Sequence, residues 1–513
     1  MNGAESLVHT LLAGGVDTCF VNPGTSEMHF VAALDRIPGL RCVLALFEGV
    51  ASGAADGYAR LAGKPAGTLF HCGPGLANAL ANLHNARRAH SPVVNIVGDQ
   101  ATYHRPLDPP LTADTAGWAR GVGGFVRTAT SAGGVGADAA AAITAARTPP
   151  GQVATLILPA DTAWGEGGIA ATPDPPPPTP RASAAAVAEA ARALRSGEPA
   201  VLLLGGAAAG EAGLAAAARI RAATGARPLV ETFVGRIPRG RGRPAIGRVP
   251  YPIDAALAAF AGVRHLVAVN APPPVGFFAY PGKPGRLQPP DCAVHVLAGI
   301  GQDGPEALAR LAEALRAPAA PPAAPRPLPE GPVRGAVGPE GVAAILARAL
   351  PEDAIVVDES ISYGRDLFAS LAAAAPHDWL QLCGGAIGEG LPLATGAAIG
   401  APGRRVIVLQ GDGSAMYTLQ SLWTQARERL DVTTILLANR KYAILLKEFA
   451  GVGAIPGPTA HGMMDLADPA LDWPRLAGGM GVEAARAATL ERFAELLDHA
   501  NRRPGPFLIE LMV

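Results

Sequence analysis

The sequence predicts an α/β protein of three domains, each a parallel sheet flanked by helices, and three observations predict it. First, 513 residues at roughly 150 per domain amount to about three domains with buried cores. Second, two proline-rich stretches, 171-181 (ATPDPPPPTPR) and 317-332 (APAAPPAAPRPLPEGP), have the composition of extended linkers that build neither helix nor central strand. Third, the segments they leave, 1-170, 182-316 and 333-513, each alternate short Val/Ile/Leu runs with Ala-rich helical patterns. That alternation is the mark of strands and crossover helices in a parallel sheet.

The elements follow in order. In the first segment, 18–21 reads as a buried strand ending in the turn Asn22-Pro23-Gly24-Thr25. Residues 66–70 form a second strand, ending in His71-Cys72-Gly73-Pro74-Gly75, and 93–97 a third. In the middle segment, 200–204 runs into Gly205-Gly206 and 266–269 into Asn270-Ala271-Pro272. The last segment has 354–357 before Asp358-Glu359-Ser360, 406–409 before Gln410-Gly411-Asp412-Gly413-Ser414, and 434–437 before Ala438-Asn439. Polar and Gly-rich residues therefore sit just past strand ends, where open α/β sheets take their ligands.

Composition narrows the function classes. Lys plus Arg (42) nearly cancel Asp plus Glu (43), for a formal charge of -1. No basic face is left for a phosphate backbone, which argues against nucleic acid as a partner. Gly (63) and Pro (49) come just under the level that suggests low complexity, while 49% hydrophobic residues permit a compact fold. Five scattered cysteines (Cys19, Cys42, Cys72, Cys292, Cys383) without a C-x-x-C pair argue against a disulfide framework or structural zinc, and point to a reducing cytoplasm. Met1-Asn2-Gly3-Ala4-Glu5 lacks the basic start of a secretory signal, and apolar stretches such as 199–210 are shorter than the roughly 18 residues of a spanning helix. The expectation is a cytoplasmic protein without a membrane partner.

The chemistry concentrates in 405–442, RVIVLQGDGSAMYTLQSLWTQARERLDVTTILLANRKY. A strand delivers Gly411-Asp412-Gly413, a helix follows, and the next strand delivers Asn439, 27 residues after Asp412. Glycines beside the aspartate let backbone N–H groups approach a phosphate, and a carboxylate with an amide oxygen suits a hard cation such as Mg²⁺. Alone, Gly-Asp-Gly is only a turn; the strand, helix and strand around it, and Asn439 at that spacing, make a metal-bridged diphosphate site. Neither a P-loop nor a G-x-G-x-x-G motif is formed there.

The span from Asp412 to Asn439 resembles the diphosphate-binding motif of thiamine diphosphate enzymes. The similarity extends through Phe20-Val21-Asn22-Pro23-Gly24-Thr25, Phe47-Glu48-Gly49, Ala54-Ala55-Asp56-Gly57-Tyr58-Ala59-Arg60 and Gly73-Pro74-Gly75-Leu76-Ala77-Asn78. It covers almost the whole chain and is similar to the acetolactate synthase large-subunit group, with benzoylformate decarboxylase nearly as close. The resemblance implies thiamine diphosphate and Mg as cofactors, with pyrimidine-binding, central and diphosphate-binding domains. Asp412, Asn439 and the backbone carbonyl of Lys441 would hold Mg²⁺, and Gly411, Gly413 and Ser414 would face the diphosphate. Ile387 would bend the cofactor, and the carbonyl of Gly385 would take its amino group. Glu48 would bond the pyrimidine nitrogen; its apolar neighbours Leu44-Ala45-Leu46-Phe47 and Val50-Ala51 suit a buried functional carboxylate.

The implied chemistry is loss of CO₂ from a 2-oxo acid, with the cofactor as electron sink and the protein orienting and desolvating it. The product is then protonated or ligated to a second carbonyl compound. His71 stands where benzoylformate decarboxylase has an active-site histidine and could relay protons. Thr25 stands at that enzyme's serine position; it and Asn22 complete the catalytic candidates. Glu27, His29, His84 and Asn85 lie near these motifs, the last two on a helix as structural residues.

Departures matter too. The acetolactate synthase stretch Arg-Phe-Asp-Asp-Arg is replaced by Asn270-Ala271-Pro272-Pro273-Pro274-Val275-Gly276-Phe277-Phe278, which puts FAD in doubt. Phe277 takes the place of the decarboxylase's second histidine, and Arg440 to Phe449 replaces the Gln-Trp-Gln region used for a second oxo acid; Leu445, Leu446 and Phe449 are candidates for the substrate wall. The leading expectation is an acetolactate synthase-like decarboxylase and carboligase. The alternatives are a benzoylformate decarboxylase-like enzyme without ligation, a 2-hydroxyacyl thioester lyase, and a catalytically idle regulatory subunit. The expected assembly is a homodimer or homotetramer with the active site at the dimer interface.

Overall fold

The computed structural model describes residues 1–319 and 326–513. Six positions of the second proline-rich linker, 320–325, lie outside the described residues. Each expected strand forms, and each continues the Val/Ile/Leu run that predicted it. The first sheet contains β1 (Thr18–Asn22), β2 (Arg41–Leu44), β3 (Ala66–Phe70), β4 (Val93–Asp99), β5 (Phe125–Thr128) and β6 (Val153–Pro159), in the order β2-β1-β3-β4-β6-β5. All its pairs are parallel. β3, β4 and β6 are buried along their whole length, as central strands covered on both faces must be.

The middle segment supplies β7 (Ala200–Leu204), β8 (Arg227–Val230), β9 (Arg236–Arg239), β10 (Gly247–Arg248), β11 (His265–Val269) and β12 (Ala293–Ala298). Five of them form a parallel sheet in the order β10-β8-β7-β11-β12. β9 does not join it. The last segment supplies β13 (Ala354–Glu359), β14 (His377–Gln381), β15 (Val406–Gly411), β16 (Val432–Ala438), β17 (Glu483–Ala487) and β18 (Phe507–Met512). The third sheet runs β17-β18-β16-β15-β13-β14-β9, and its last strand, borrowed from the middle segment, pairs antiparallel with β14 in the register Asp378↔Pro238. Pro238 lacks a backbone donor, and a sheet edge tolerates that.

The first and third domains meet through helices. Glu48–Ala62 crosses Gly390–Gly400 so closely that a Cβ on Gly57 would lie 2.0 Å from the Leu393 carbonyl, and one on Gly396 1.8 Å from that of Ala54. Arg60 adds a polar clasp at this crossing. It donates to both carboxylate oxygens of Asp56 (2.7 and 2.5 Å) and to the carbonyls of Gln381 (2.7 Å) and Gly235 (3.3 Å). No helix among the described residues is long and apolar enough to cross a membrane, and all five cysteines are unpaired.

Candidate active site

β15 and β16 lie side by side in the register Gly411↔Leu437, so their ends open at the same edge. Gly411 leaves the sheet in an extended conformation and Asp412 starts the short helix Asp412–Ala415. Asp412 is 4% exposed; Oδ1 accepts from Gly413 N–H (2.9 Å) and Oδ2 from Arg440 N–H (2.7 Å). Burial pushes its carboxyl above the usual aspartate value, against the pull of those N–H groups. Asn439 Oδ1 accepts from Lys441 N–H (3.1 Å). The lone bridge between Lys441 and Asp465 is carried by Tyr442 N–H to Met464 and Leu466 N–H to Arg440, which does not use the Lys441 carbonyl. Three oxygens of the type Mg²⁺ prefers could therefore converge here.

A cavity of about 1120 Å³ faces these groups, and Gly385, Ile387, Gly411, Asp412, Gly413, Ser414, Asn439 and Lys441 all line it. The loop with Gly385 and Ile387 is fixed from both sides. Asn85 donates to the Ala386 carbonyl (2.8 Å) and accepts from Ala386 N–H (3.2 Å), while His84 Nε2 sits 3.2 Å from the Gly384 carbonyl. Glu359, at the end of β13, accepts from the N–H groups of Gly388 (2.6 Å) and Gly390, and burial pushes its carboxyl up. Gly385 has φ +79°, and a Cβ there would come 2.7 Å from Phe277 Cζ. Only glycine keeps its backbone at this wall.

Four candidates occupy a different place. Asn22 ends β1 beside Phe70, and Thr25, itself exposed, opens a single turn that ends in the buried Glu27. Glu48 begins its helix 7% exposed, the buried carboxylate expected, with Oε2 accepting from Asn78 Nδ2 (3.0 Å). His71 lies between β3 and the helix Cys72–Arg88, its Nδ1 2.9 Å from Glu27 Oε2 and 3.1 Å from Ser26 Oγ. Gly24 gives the ring its space, since a Cβ there would fall 2.2 Å from the imidazole. None of these four lines the cavity that carries Asp412. One chain thus holds the two groups of candidates in separate places.

Sequence reasoning read Phe277 only as standing in place of a histidine and overlooked the groups around it. Phe233, Tyr251, Phe277 and Phe278 stack edge to face across the cavity, with centroids 5.7 Å apart for Phe233 and Phe277 and 4.8 Å for Phe277 and Phe278. Glu448 accepts from Tyr280 (2.8 Å) and Tyr251 (3.5 Å), tying the central domain to the third. Leu445 lines the cavity, whereas Leu446 and Phe449 do not. Aromatic residues spread over the central segment carry no spacing signal, so only the fold assembles them. The grouping of Ser26, Glu27, His71 and Cys72 was hidden for the same reason.

A nucleotide-sized cleft, a strand-end aspartate and asparagine on adjacent parallel strands, and a separate buried glutamate define the class, and comparisons agree. Residues 1–118 match the N-terminal TPP binding domain of thiamine pyrophosphate enzymes, and 365–511 match their C-terminal TPP binding domain. The chain belongs to the thiamine pyrophosphate (thiamine diphosphate) enzyme family. A Mycobacterium tuberculosis protein described as "Putative acetolactate synthase large subunit IlvX" is 52% identical over 100% of this chain and 99% of its own length. Benzoylformate decarboxylase of Pseudomonas aeruginosa is 30% identical over 97% of this chain and 96% of its own. The solved 4-hydroxybenzoylformate decarboxylase of Rhodococcus jostii shares the fold, with a TM-score of 0.86 at 24% identity over 99% of this chain and 98% of that one.

Proposed function

We propose that the protein is a Mg²⁺- and thiamine diphosphate-dependent decarboxylase of 2-oxo acids, of acetolactate synthase type, able to ligate its product to a second carbonyl compound. The single observation that carries this is the cavity in which Asp412, Asn439, Gly385 and Ile387 meet, in a chain that also keeps a buried Glu48. Asp412, Asn439 and the Lys441 carbonyl would hold the metal, and Gly411, Gly413 and Ser414 would face the diphosphate. Ile387 would pack against the cofactor, and the Gly385 carbonyl would accept from its amino group. When bound, the cofactor supplies the electron sink for CO₂ loss.

Glu48, 7% exposed and so sheltered from water, would hold a proton toward the pyrimidine ring of the bound cofactor. His71 moves protons at Nε2, because Nδ1 is engaged by Glu27 and Ser26. Asn22, at the end of β1, and Thr25, in the turn that follows, orient the substrate carboxylate. Since Glu48 and Asp412 face different spaces within one chain, two chains combine their half-sites, which makes a homodimer the minimum and a homotetramer a pair of such dimers. The test is CO₂ release from pyruvate, benzoylformate and branched 2-oxo acids with both cofactors present; silence across that panel with cofactor bound would sink the reading. The imidazole held by Glu27 and the aromatic wall favour a second reading, a benzoylformate decarboxylase-like enzyme without ligation. Aldehyde as sole product, against acyloin or 2-acetolactate, separates them.

A further inference from the structure

The proposed proton relay, His71, belongs to a cluster whose other members, Glu27, Ser26 and Cys72, have no part in the reaction itself. Glu27 is fully buried, Cys72 is 1% exposed, and the His71 side chain is 23% exposed toward solvent. Glu27, His71 and Cys72 each offer a ligand atom, all within 4.8 Å of one another. Nδ1 of His71 is 2.9 Å from Glu27 Oε2 and 3.8 Å from Cys72 Sγ, and Ser26 Oγ is 3.1 Å from Nδ1 and 3.4 Å from Sγ. A tetrahedral Zn²⁺ with bonds of about 2.0–2.1 Å to N or O and about 2.3 Å to S needs ligand separations of about 3.4 Å and 3.6 Å. The nitrogen–oxygen separations fall a few tenths of an ångström short of the first value, the nitrogen–sulfur separation exceeds the second by about 0.2 Å, and Glu27 and Cys72 lie within 4.8 Å of each other, so modest shifts close the site.

We infer that Glu27, His71 and Cys72 form a binding site for a thiophilic divalent cation such as Zn²⁺, with Ser26 or water at the fourth position, and that its occupation switches off the His71 relay.

The surroundings suit a cation. Gly24 N–H (2.7 Å) and the Ser26 hydroxyl already orient the Glu27 carboxylate, as outer partners orient metal ligands. Burial, then the charges of Glu27 and Asp99, push the Cys72 thiol up to about 11 although Ser26 pulls it back; the thiol proton is therefore present and must be displaced. Binding forms the metal–sulfur bond and releases that proton to solvent. Coordination also takes the Nδ1 lone pair and leaves hydrogen on Nε2, so the ring can no longer accept a proton there. This inhibitory consequence, unlike the binding itself, rests on the proposed role of His71.

The experiment is titration of the Mg²⁺-loaded holoenzyme with Co²⁺ as a spectroscopic probe. One equivalent should produce a thiolate-to-cobalt charge-transfer band with the intense visible absorption of four-coordinate Co²⁺, release one proton, and be displaced by Zn²⁺. Cys72→Ser and Cys72→Ala should both lose the charge-transfer band, Cys383→Ser should keep it, and Glu27→Gln should weaken binding at least tenfold. Only weak six-coordinate absorption, or an undiminished band in Cys72→Ala, overturns the site. These spectra do not depend on turnover, so a failed decarboxylase assay leaves them readable. In an active enzyme, one equivalent of Zn²⁺ should lower turnover more than tenfold in the parent and not in Cys72→Ser; full turnover with the site occupied overturns the switch.

Discussion

Arg60 offers the most demanding test of how the domains are joined. Its side chain is 4% exposed, and those of Asp56 and Glu389 are 0% and 1% exposed. Replacing it with methionine keeps the bulk but removes two bonds to Asp56, the one to Glu389 (3.2 Å), and those to Gln381 and Gly235. Asp56 would then retain a bond from Ser91 alone. Removing one partner of a buried pair strands the other charge and costs about 3–5 kcal/mol. Arg60→Met is expected to fall in that range, read from the first urea transition, because three domains need not unfold as one. Asp56→Asn in the same chain should restore at least about 2 kcal/mol, as a directly coupled pair does. Glu389→Gln should cost less than about 1 kcal/mol, because burial already pushes that carboxyl well up and glutamine mimics its neutral form. A loss below about 1 kcal/mol for Arg60→Met, the range of exposed pairs, or a double variant no better than the sum of the singles, would refute the reasoning.

Three further outcomes are expected. Glu48→Gln should lower kcat by about 10²–10⁴ with thiamine diphosphate affinity preserved by calorimetry, the range for a lost acid–base group; unchanged turnover would remove Glu48 from the chemistry. Burial raises the Glu231 carboxyl from 4.5 to about 7, with Arg88 opposing. The folded state thus holds the extra proton, and its stabilising contribution, complete below 4.5, is lost as pH rises through about 7. Glu231→Gln should flatten the melting temperature against pH in that window, and an identical slope would count against a buried carboxyl. Gly385→Ala should cost roughly 1–2 kcal/mol for a left-handed backbone, displace Phe277, and raise the thiamine diphosphate concentration needed for half-maximal activity; an unaltered cofactor titration would contradict the packing.

The parallel strands were legible because short runs such as 200–204 and 266–269 are apolar throughout and end in glycine or polar turns. The Asp412 to Asn439 spacing was legible too, since a strand, helix and return strand bring its two ends to one sheet edge. Glu48 was readable from the apolar residues on either side of it. Arg236-Ile237-Pro238-Arg239 was not: four residues reveal a strand poorly and say nothing of which sheet edge they will join. Glu27 escaped notice as part of a cluster because its partners His71 and Cys72 are more than forty residues away in the chain. Side-chain convergence of that kind depends on loop conformation, which composition and periodicity do not record.

That borrowed strand has a consequence for biosynthesis. β9 emerges 138 residues before β14 begins, a delay of roughly 7 to 28 s at ordinary rates of translation. Throughout it the middle of the chain carries a strand without a mate, protected only by its brevity, its arginines and Pro238. The reverse holds at the other end, where a diphosphate domain expressed alone would leave β14 as an open border. The proline-rich linkers therefore mark divisions of the sequence but not units that can be exchanged, and a chimera cut at them would have to carry Arg236–Arg239 along.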